Sequence, residues 1–395
     1  MKSRLKIWLE ILLVSSKLGL TSFGGPVAHL GYFREEYVKK KKWLDDQSYA
    51  DIVALCQFLP GPASSQVGLS IGLLRGGLVG SFLSWFGFTM PSILILIVFA
   101  YLFKGTDVHE AGWLMGLKIT AVAVVAQAVM GMGKSLAPDR PRITIAVLAA
   151  VGALFVPSAW GQLAIIAGSA VAGYLLYKRE EVPEVPKLIL TIGKKTASAS
   201  LLLFGLLLVL LPIIRQTFSG TYIALFDVFY RVGSLVFGGG HVVLPMLEKE
   251  VVPAGWMTQD VFLAGYGAAQ AVPGPLFTLA GYVGAIISGV PGALIATAAM
   301  FLPSFLLVFG VLPFWSSIRG KKGVQAALMG VNAAVVGILL AALYDPVFTS
   351  AIHSASAFAL ALVSFALLVY WKLLPWLVVG LTIIAGTLME QIGVL

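Results

Sequence analysis

Charge is scarce in this chain. Lys, Arg, Asp and Glu together make up 11% of its 395 residues, against about 25% in a soluble globular protein. With 59% hydrophobic residues and a mean hydropathy of +0.94, an ordinary soluble domain, a disordered chain and a nucleic-acid binder built on a basic surface are excluded. Cysteine occurs once, as Cys56. That rules out a disulfide framework and a multi-cysteine metal site, and Cys56 is expected to serve packing in its apolar segment. Catalytic signatures are missing as well. Gly133-Lys134-Ser135 looks like the end of a phosphate-binding loop, but Ala128 stands where the first glycine belongs. HExxH and GxSxG are both lacking. The chain is therefore read as no enzyme, with no cofactor and no metal, and any pumping it does must draw on a gradient.

What is present is a set of apolar spans. The first-half candidates are 77–103, 112–133, 143–157 and 160–177, and the second-half candidates are 290–315, 323–344, 347–370 and 373–390. An extra span, 196–214, lies between them. This pattern predicts an all-α polytopic membrane protein in a lipid bilayer. The basic start, Met1-Lys2-Ser3-Arg4, leads into a segment with Glu10 and Lys17 and no small-residue cleavage site, so it is read as retained. The net charge of +9 sits largely in short loops, where it fits retention of basic loops on the cytoplasmic side.

The two halves repeat one another. At an offset of 214, Lys17 falls on Arg231, Phe23-Gly24-Gly25 on Phe237-Gly238-Gly239, and Glu36 on Glu250. One residue less brings Trp43 onto Trp256, Gln57 onto Gln270, and Pro60-Gly61-Pro62 onto Pro273-Gly274-Pro275. Another step brings Pro91-Ser92 onto Pro303-Ser304. The expected organisation is a first repeat at 1–180, a linker with the extra span at 181–215, and a second repeat at 216–395. Corresponding loops carry opposite charge. Loop 104–111 is net −1 where 316–322 is net +3, and 134–142 is net +2 where 345–350 is net −1. The four lysines of 39–42 face two Glu and one Lys around 248–255. The positive-inside rule then predicts repeats of inverted topology, a hallmark of secondary transporters. The N-terminus is expected in the cytoplasm and the C-terminus outside.

Within each repeat the helices must break. Segment 46–58 would rise only about 20 Å as a helix, and Pro60-Gly61-Pro62 ends it, because proline has no N–H and clashes with the preceding turn. A second half-helix is expected at 62–74. Phe23-Gly24-Gly25-Pro26 breaks 5–22 from 24–37, and both breaks recur at Gly238-Gly239-Gly240 and Pro273-Gly274-Pro275. Irregular backbone at membrane depth is tolerated only against protein or a wet cavity. Exposed helix N-termini carry free N–H groups and partial positive charge, which suit oxyanions. The substrate-binding candidates are Lys17, Gly24, Gly25, Gln57, Gly61, Ser64, Ser65, Arg231, Gly238, Gly239, His241, Gln270, Gly274, Thr278 and Asn332. Pro26, Pro60, Pro62, Pro273 and Pro275 are the helix-breaking residues. Lys17 and Arg231 are intramembrane cations, functional by default. Arg231 has Asp227 one turn away, whereas Lys17 has only Leu13 there. Glu36, Asp51 and Glu250 are candidates for proton coupling, and His29 is a weaker one. Lys118 and Asn332 form a further polar pair, and Arg75 follows the second half-helix.

Four motifs, Phe23-Gly24-Gly25-Pro26, Gln57-Phe58-Leu59-Pro60-Gly61-Pro62, Phe237-Gly238-Gly239-Gly240-His241 and Gln270-Ala271-Val272-Pro273-Gly274-Pro275, resemble those of the chromate ion transporter family, in its long-chain two-domain type. The resemblance covers nearly the whole chain. It implies export of chromate across the bacterial cytoplasmic (inner) membrane, powered by the proton motive force, with sulfate as a related tetrahedral dianion. The partners expected are that oxyanion, protons and the bilayer, with no nucleic acid, and a homodimer is a candidate assembly. Alternative readings are a passive oxyanion channel and a membrane-embedded enzyme or lipid-handling protein.

Overall fold

The computed structural model describes residues 4–22, 25–103, 112–156, 159–177, 193–218, 220–237, 242–315 and 321–392. Most of those residues are helical, with no strand among them. Five helices are long and apolar enough to cross a membrane: Ala63–Leu102, Gly112–Lys134, Lys194–Thr217, Leu276–Phe314 and Lys322–Phe348. The protein is an all-α, multi-pass membrane protein.

The first repeat opens with α1 (Arg4–Thr21) and α2 (Gly25–Phe33), which runs on into a wider π-turn, Arg34–Lys40. Helix α3 (Asp46–Phe58) starts where the Asp45 side chain accepts from the Ser48 N–H, at 2.7 Å. It stops at Pro60-Gly61-Pro62, where Gly61 takes φ +107°, a region L side chains rarely adopt. Helix α4 (Ala63–Phe103) is two arms joined at Gly77, with φ +67°. The arms, 63–76 and 78–103, fold back on each other. Ser81 Oγ donates to the Leu69 carbonyl at 2.9 Å, and Cβ atoms at Gly72 and Gly80 would strike each other's backbone. Then come α5 (Gly112–Leu136), α6 (Arg140–Phe155) and α7 (Ala159–Tyr177).

Helix α8 (Lys194–Thr217) links the halves. The second repeat follows with α9 (Thr221–Leu235), α10 (Val243–Val251) and α11 (Gln259–Ala271). Thr258 caps α11 as Asp45 caps α3, accepting from the Val261 N–H at 3.4 Å. Helix α12 (Leu279–Val311) has its kink at Gly289, φ +63°, which is 212 residues beyond Gly77. The chain closes with α13 (Lys322–Ala342), α14 (Ala355–Val369) and α15 (Pro375–Gln391).

One expectation needs correction. The span expected over 347–370 begins only at Ala355, where the Ser354 hydroxyl accepts from the Ala357 N–H at 3.0 Å. Ahead of it Asp345 leaves helical geometry, with φ −128° and ψ 115°, and Pro346 supplies no N–H to continue a ladder. After the second Pro-Gly-Pro the chain makes a 3-10 turn, Leu276–Thr278, before α12, whereas α4 follows the first directly.

The repeats interlock. Helix α5 packs on α14 and α15, the second-repeat counterparts of α6 and α7, while α13 packs on α6 and α7. The seams are made by small residues. A Cβ at Gly116 would meet the Thr382 carbonyl, and one at Gly330 would meet the Ser169 carbonyl. In lipid, where apolar contact alone gives no drive between helices, such close backbone approach supplies the packing.

Candidate functional site

The breaks of one repeat are docked on the breaks of the other. The Gly61 N–H, inside the first Pro-Gly-Pro, donates to the Val236 carbonyl at 2.6 Å. The Gly274 N–H, inside the second, donates to the Ser22 carbonyl at 2.9 Å. Ser22 and Val236 are 214 residues apart, and Gly61 and Gly274 are 213 apart. The contact is thus self-complementary, as in a two-fold interface. The supporting serines also correspond. Ser92 Oγ donates to the Pro273 carbonyl, and Ser304 Oγ lies 3.4 Å from Gln66 Nε2, which itself donates to the Pro60 carbonyl at 2.6 Å. The outer arms of α4 and α12 cross between the junctions, with the Trp85 ring 5.6 Å from that of Phe301 and 5.5 Å from that of Phe305.

Buried donors are left over here. Ser22 Oγ, Ser65 Oγ and Gln270 Nε2 are shielded from solvent with no hydrogen-bond partner among the described residues. A buried polar group without a partner costs about 1–3 kcal/mol, so a ligand or water that takes these hydrogens is favoured. Ser64 is also buried. His29 is buried beside the second junction, its ring edge-on to Phe88 at 5.4 Å. The Phe88 carbonyl faces Gly274.

Other sequence candidates fall elsewhere. Gln57 is exposed, unlike its buried counterpart Gln270. The Thr278 hydroxyl is spent on the Pro275 carbonyl, at 2.7 Å. Asn332 is half-buried on α13. Its counterpart Lys118, 5% exposed, pairs with Asp260 at 2.8 Å. Gly24, Gly238, Gly239 and His241 lie outside the described residues, as do the side chains of Pro26 and Asp51. Cys56 is buried, its sulfur 3.8 Å from Ser70 Oγ, in keeping with a packing role.

The cations are paired. Lys17, which the sequence left without an acid, meets Glu36: Nζ lies 2.9 Å from Oε2. Arg231 donates to Glu250 from Nη1 (2.8 Å) and Nη2 (3.1 Å), and to Asp227 from Nε (3.0 Å) and Nη2 (3.1 Å). Both cation–glutamate pairs span 19 residues, and both partners correspond at an offset of 214. Glu36 is buried. The second pair has an addition: Arg215, at the end of α8, reaches Asp227 at 3.2 Å. A cavity of about 460 Å³ opens here, lined by Arg215, Asp227, Arg231, Lys249 and Glu250. Equivalent tryptophans sit under unrelated arginines, Arg75 lying 4.3 Å from the Trp43 ring and Arg215 5.9 Å from that of Trp256.

Sequence reasoning missed Ser22, Arg215 and Asp260. Ser22 had a signal, since it and Val236 immediately precede the duplicated phenylalanines. Arg215 and Asp260 had none, because the repeat supplies neither with a like partner.

Comparison with known proteins follows the same division of the chain. The model of the chromate transporter family matches residues 9–174 and 223–387. An uncharacterised transporter of Methanocaldococcus jannaschii is 30% identical over 394 residues, covering 96% of this chain and 94% of that one. A chromate transport protein of Cupriavidus metallidurans is 28% identical, covering 95% and 92%. One of Pseudomonas aeruginosa is 28% identical, covering 83% and 78%. No solved structure matches.

Proposed function

The chain belongs to the chromate transporter family, a family of transporters and not of enzymes, and from that we propose that it is a secondary transporter exporting chromate, or a related tetrahedral oxyanion such as sulfate, from the cytoplasm. The reading takes 1–180 and 216–395 as repeats of inverted topology, joined by 181–215, with the N-terminus in the cytoplasm and the C-terminus outside. The observation that carries it is the reciprocal docking of each Pro-Gly-Pro turn on the other repeat's break, with the unspent donors of Ser22, Ser65 and Gln270 around it. Donors set in advance and left unspent are what an oxyanion needs. A site held between two repeats is what alternating access requires, since rocking one against the other changes the side from which it opens. Glu36, Glu250, Asp51 and His29 are the groups through which the proton motive force would act.

The test is uptake of labelled chromate into proteoliposomes, with and without an imposed pH gradient, and with sulfate as competitor. Accumulation against a gradient that collapses with the pH difference is expected. Conductance in planar bilayers with no coupling would make the protein a channel instead.

A further inference from the structure

The duplicated ion pairs have a use that the break junctions do not supply. Arg231 is heavily committed, four of its five N–H groups donating to Asp227 or Glu250. Lys17 is held by Glu36. An oxyanion that is to take the hydrogen bonds Glu36 and Glu250 now accept must displace those carboxylates. The cation differs between the repeats, lysine in one and arginine in the other, while the acid is glutamate in both, at the same spacing of 19. Arg231 and Glu250 both line the 460 Å³ cavity. That leaves room for an oxyanion with several waters, each of which occupies about 30 Å³. Three cations, Arg215, Arg231 and Lys249, face two carboxylates, Asp227 and Glu250, so the cavity wall is net positive and draws an anion toward the pair.

We infer that Glu36 and Glu250 are tethered stand-ins for the transported anion, each holding its repeat's cation while the carrier is empty and yielding it to the oxyanion when the carrier is loaded. The inference rests on the transporter reading and deepens it. Moving an unpaired charge through a low-dielectric interior costs several kcal/mol. With the glutamate in place the empty carrier moves between its two states without that penalty; in the loaded carrier the oxyanion neutralises the cation and the displaced carboxylate keeps a second cation at hand, Lys40 at 3.9 Å from Glu36 and Arg215 and Lys249 on the cavity wall with Glu250. The exchange is one of ionic contacts only, with no bond made or broken. Glutamate serves because its carboxylate offers a pair of oxygens like the pair a tetrahedral oxyanion presents along one edge.

The test compares the full-length protein with its Glu36→Gln and Glu250→Gln variants, purified and reconstituted in proteoliposomes. Three quantities are read with labelled sulfate and with chromate: equilibrium affinity, exchange of internal for external anion, and net efflux. Removing the internal competitor is expected to tighten affinity about tenfold, worth about 1.4 kcal/mol. It is also expected to raise the ratio of exchange to net efflux about tenfold, because the empty carrier then returns with an unpaired cation. Thermal unfolding accompanies each variant. Should a glutamine variant fail to fold, Glu36→Asp and Glu250→Asp keep the charge but shorten its reach, and they should move affinity in the same direction by about two- to threefold. Weaker or unchanged affinity in variants that fold, with exchange and efflux falling together, would overturn the inference and leave the pairs structural. If the unaltered protein binds neither chromate nor sulfate, the transporter reading itself fails, and this inference with it.

Discussion

Asp227 is 1% exposed and accepts from two arginines, Arg215 and Arg231. Taking away one partner of a buried pair costs about 3–5 kcal/mol, because the remaining charge stays buried. Arg231→Ala should therefore lower the thermal midpoint clearly, and adding Asp227→Asn should recover most of the loss. The anion affinity of the double variant should stay low, since the cation is still missing. A midpoint that does not recover would mean that Arg231 holds the fold through Glu250 instead. Lys17→Ala is the gentler case. Lys17 is largely exposed, so its removal should weaken anion binding more than it weakens folding. Gly61 belongs to the same scale. At φ +107° a side chain is strained, and its Cβ would meet Gln66 Nε2 and Ser304 Oγ, both at 2.9 Å. Gly61→Ala should cost about 1–3 kcal/mol and disturb the bond to Val236, with transport falling while membrane insertion persists. An alanine variant with unaltered stability and transport would show that the turn tolerates a different backbone.

At the scale of elements, the half-helices and hairpins follow from local chemistry. Helix α3 spans the 13 residues 46–58 that the sequence predicted, because a capping aspartate opens it and a prolyl turn closes it. Helix α6 is capped by Asp139, whose carboxylate accepts from the Arg142 backbone N–H at 2.9 Å and from the Tyr177 hydroxyl at 2.7 Å. Burial tends to raise this carboxyl's pKa, but the bonds from Arg142 and Tyr177 outweigh it and hold it at about 2. The folded pKa lies below the ordinary aspartate value of about 3.9. The stability it contributes is therefore fully present above about pH 4 and is lost as pH falls toward 2. Asp139→Ala should cost about 1 kcal/mol, read as a lower thermal midpoint at pH 7, and should remove that acid sensitivity. An unchanged midpoint would mean that the α6 N-terminus needs no cap. The second Pro-Gly-Pro shows the limit of such reasoning. Its sequence matches the first in the prolines and the glycine, yet a 3-10 turn follows it and the Thr278 hydroxyl turns back to Pro275.

At the scale of the whole molecule, the exchange of partners between repeats has consequences for the chain as a unit. Because α5 seats on α14 and α15, and α13 on α6 and α7, each half alone exposes its Gly116 or Gly330 seam and its break carbonyl, Ser22 or Val236. Segments 1–180 and 181–395, expressed separately, should be degraded or aggregated. Expressed together, they should assemble and recover transport, with a tag on one half retaining the other. A stable, monodisperse single half would contradict the interlocked arrangement. Inverted topology has its own check, by labelling single introduced cysteines in a Cys56→Ser background. Loops 104–111 and 316–322 should react from opposite sides, and reaction from the same side would remove the inverted-repeat model.

The duplicated motifs, the two prolyl turns and the apolar runs of the five long helices were legible in the sequence, because each is decided over a few residues. Proline removes a donor, glycine admits a positive φ, and a run of apolar residues must leave water. Gly77 and Gly289 mark their kinks by the same rule. The partners of these features were decided only in three dimensions. Nothing local told that Glu36 would reach Lys17 across 19 residues, that Gly61 would meet Val236, or that Asp260 would answer Lys118 across 142. In a membrane protein, apolar residues that face lipid and those that face other helices read alike, so hydropathy fixes what enters the bilayer and leaves open what meets what. Close backbone approach at glycine and the need to neutralise buried charge settled those pairings, and both depend on neighbours that the order of the chain does not place side by side.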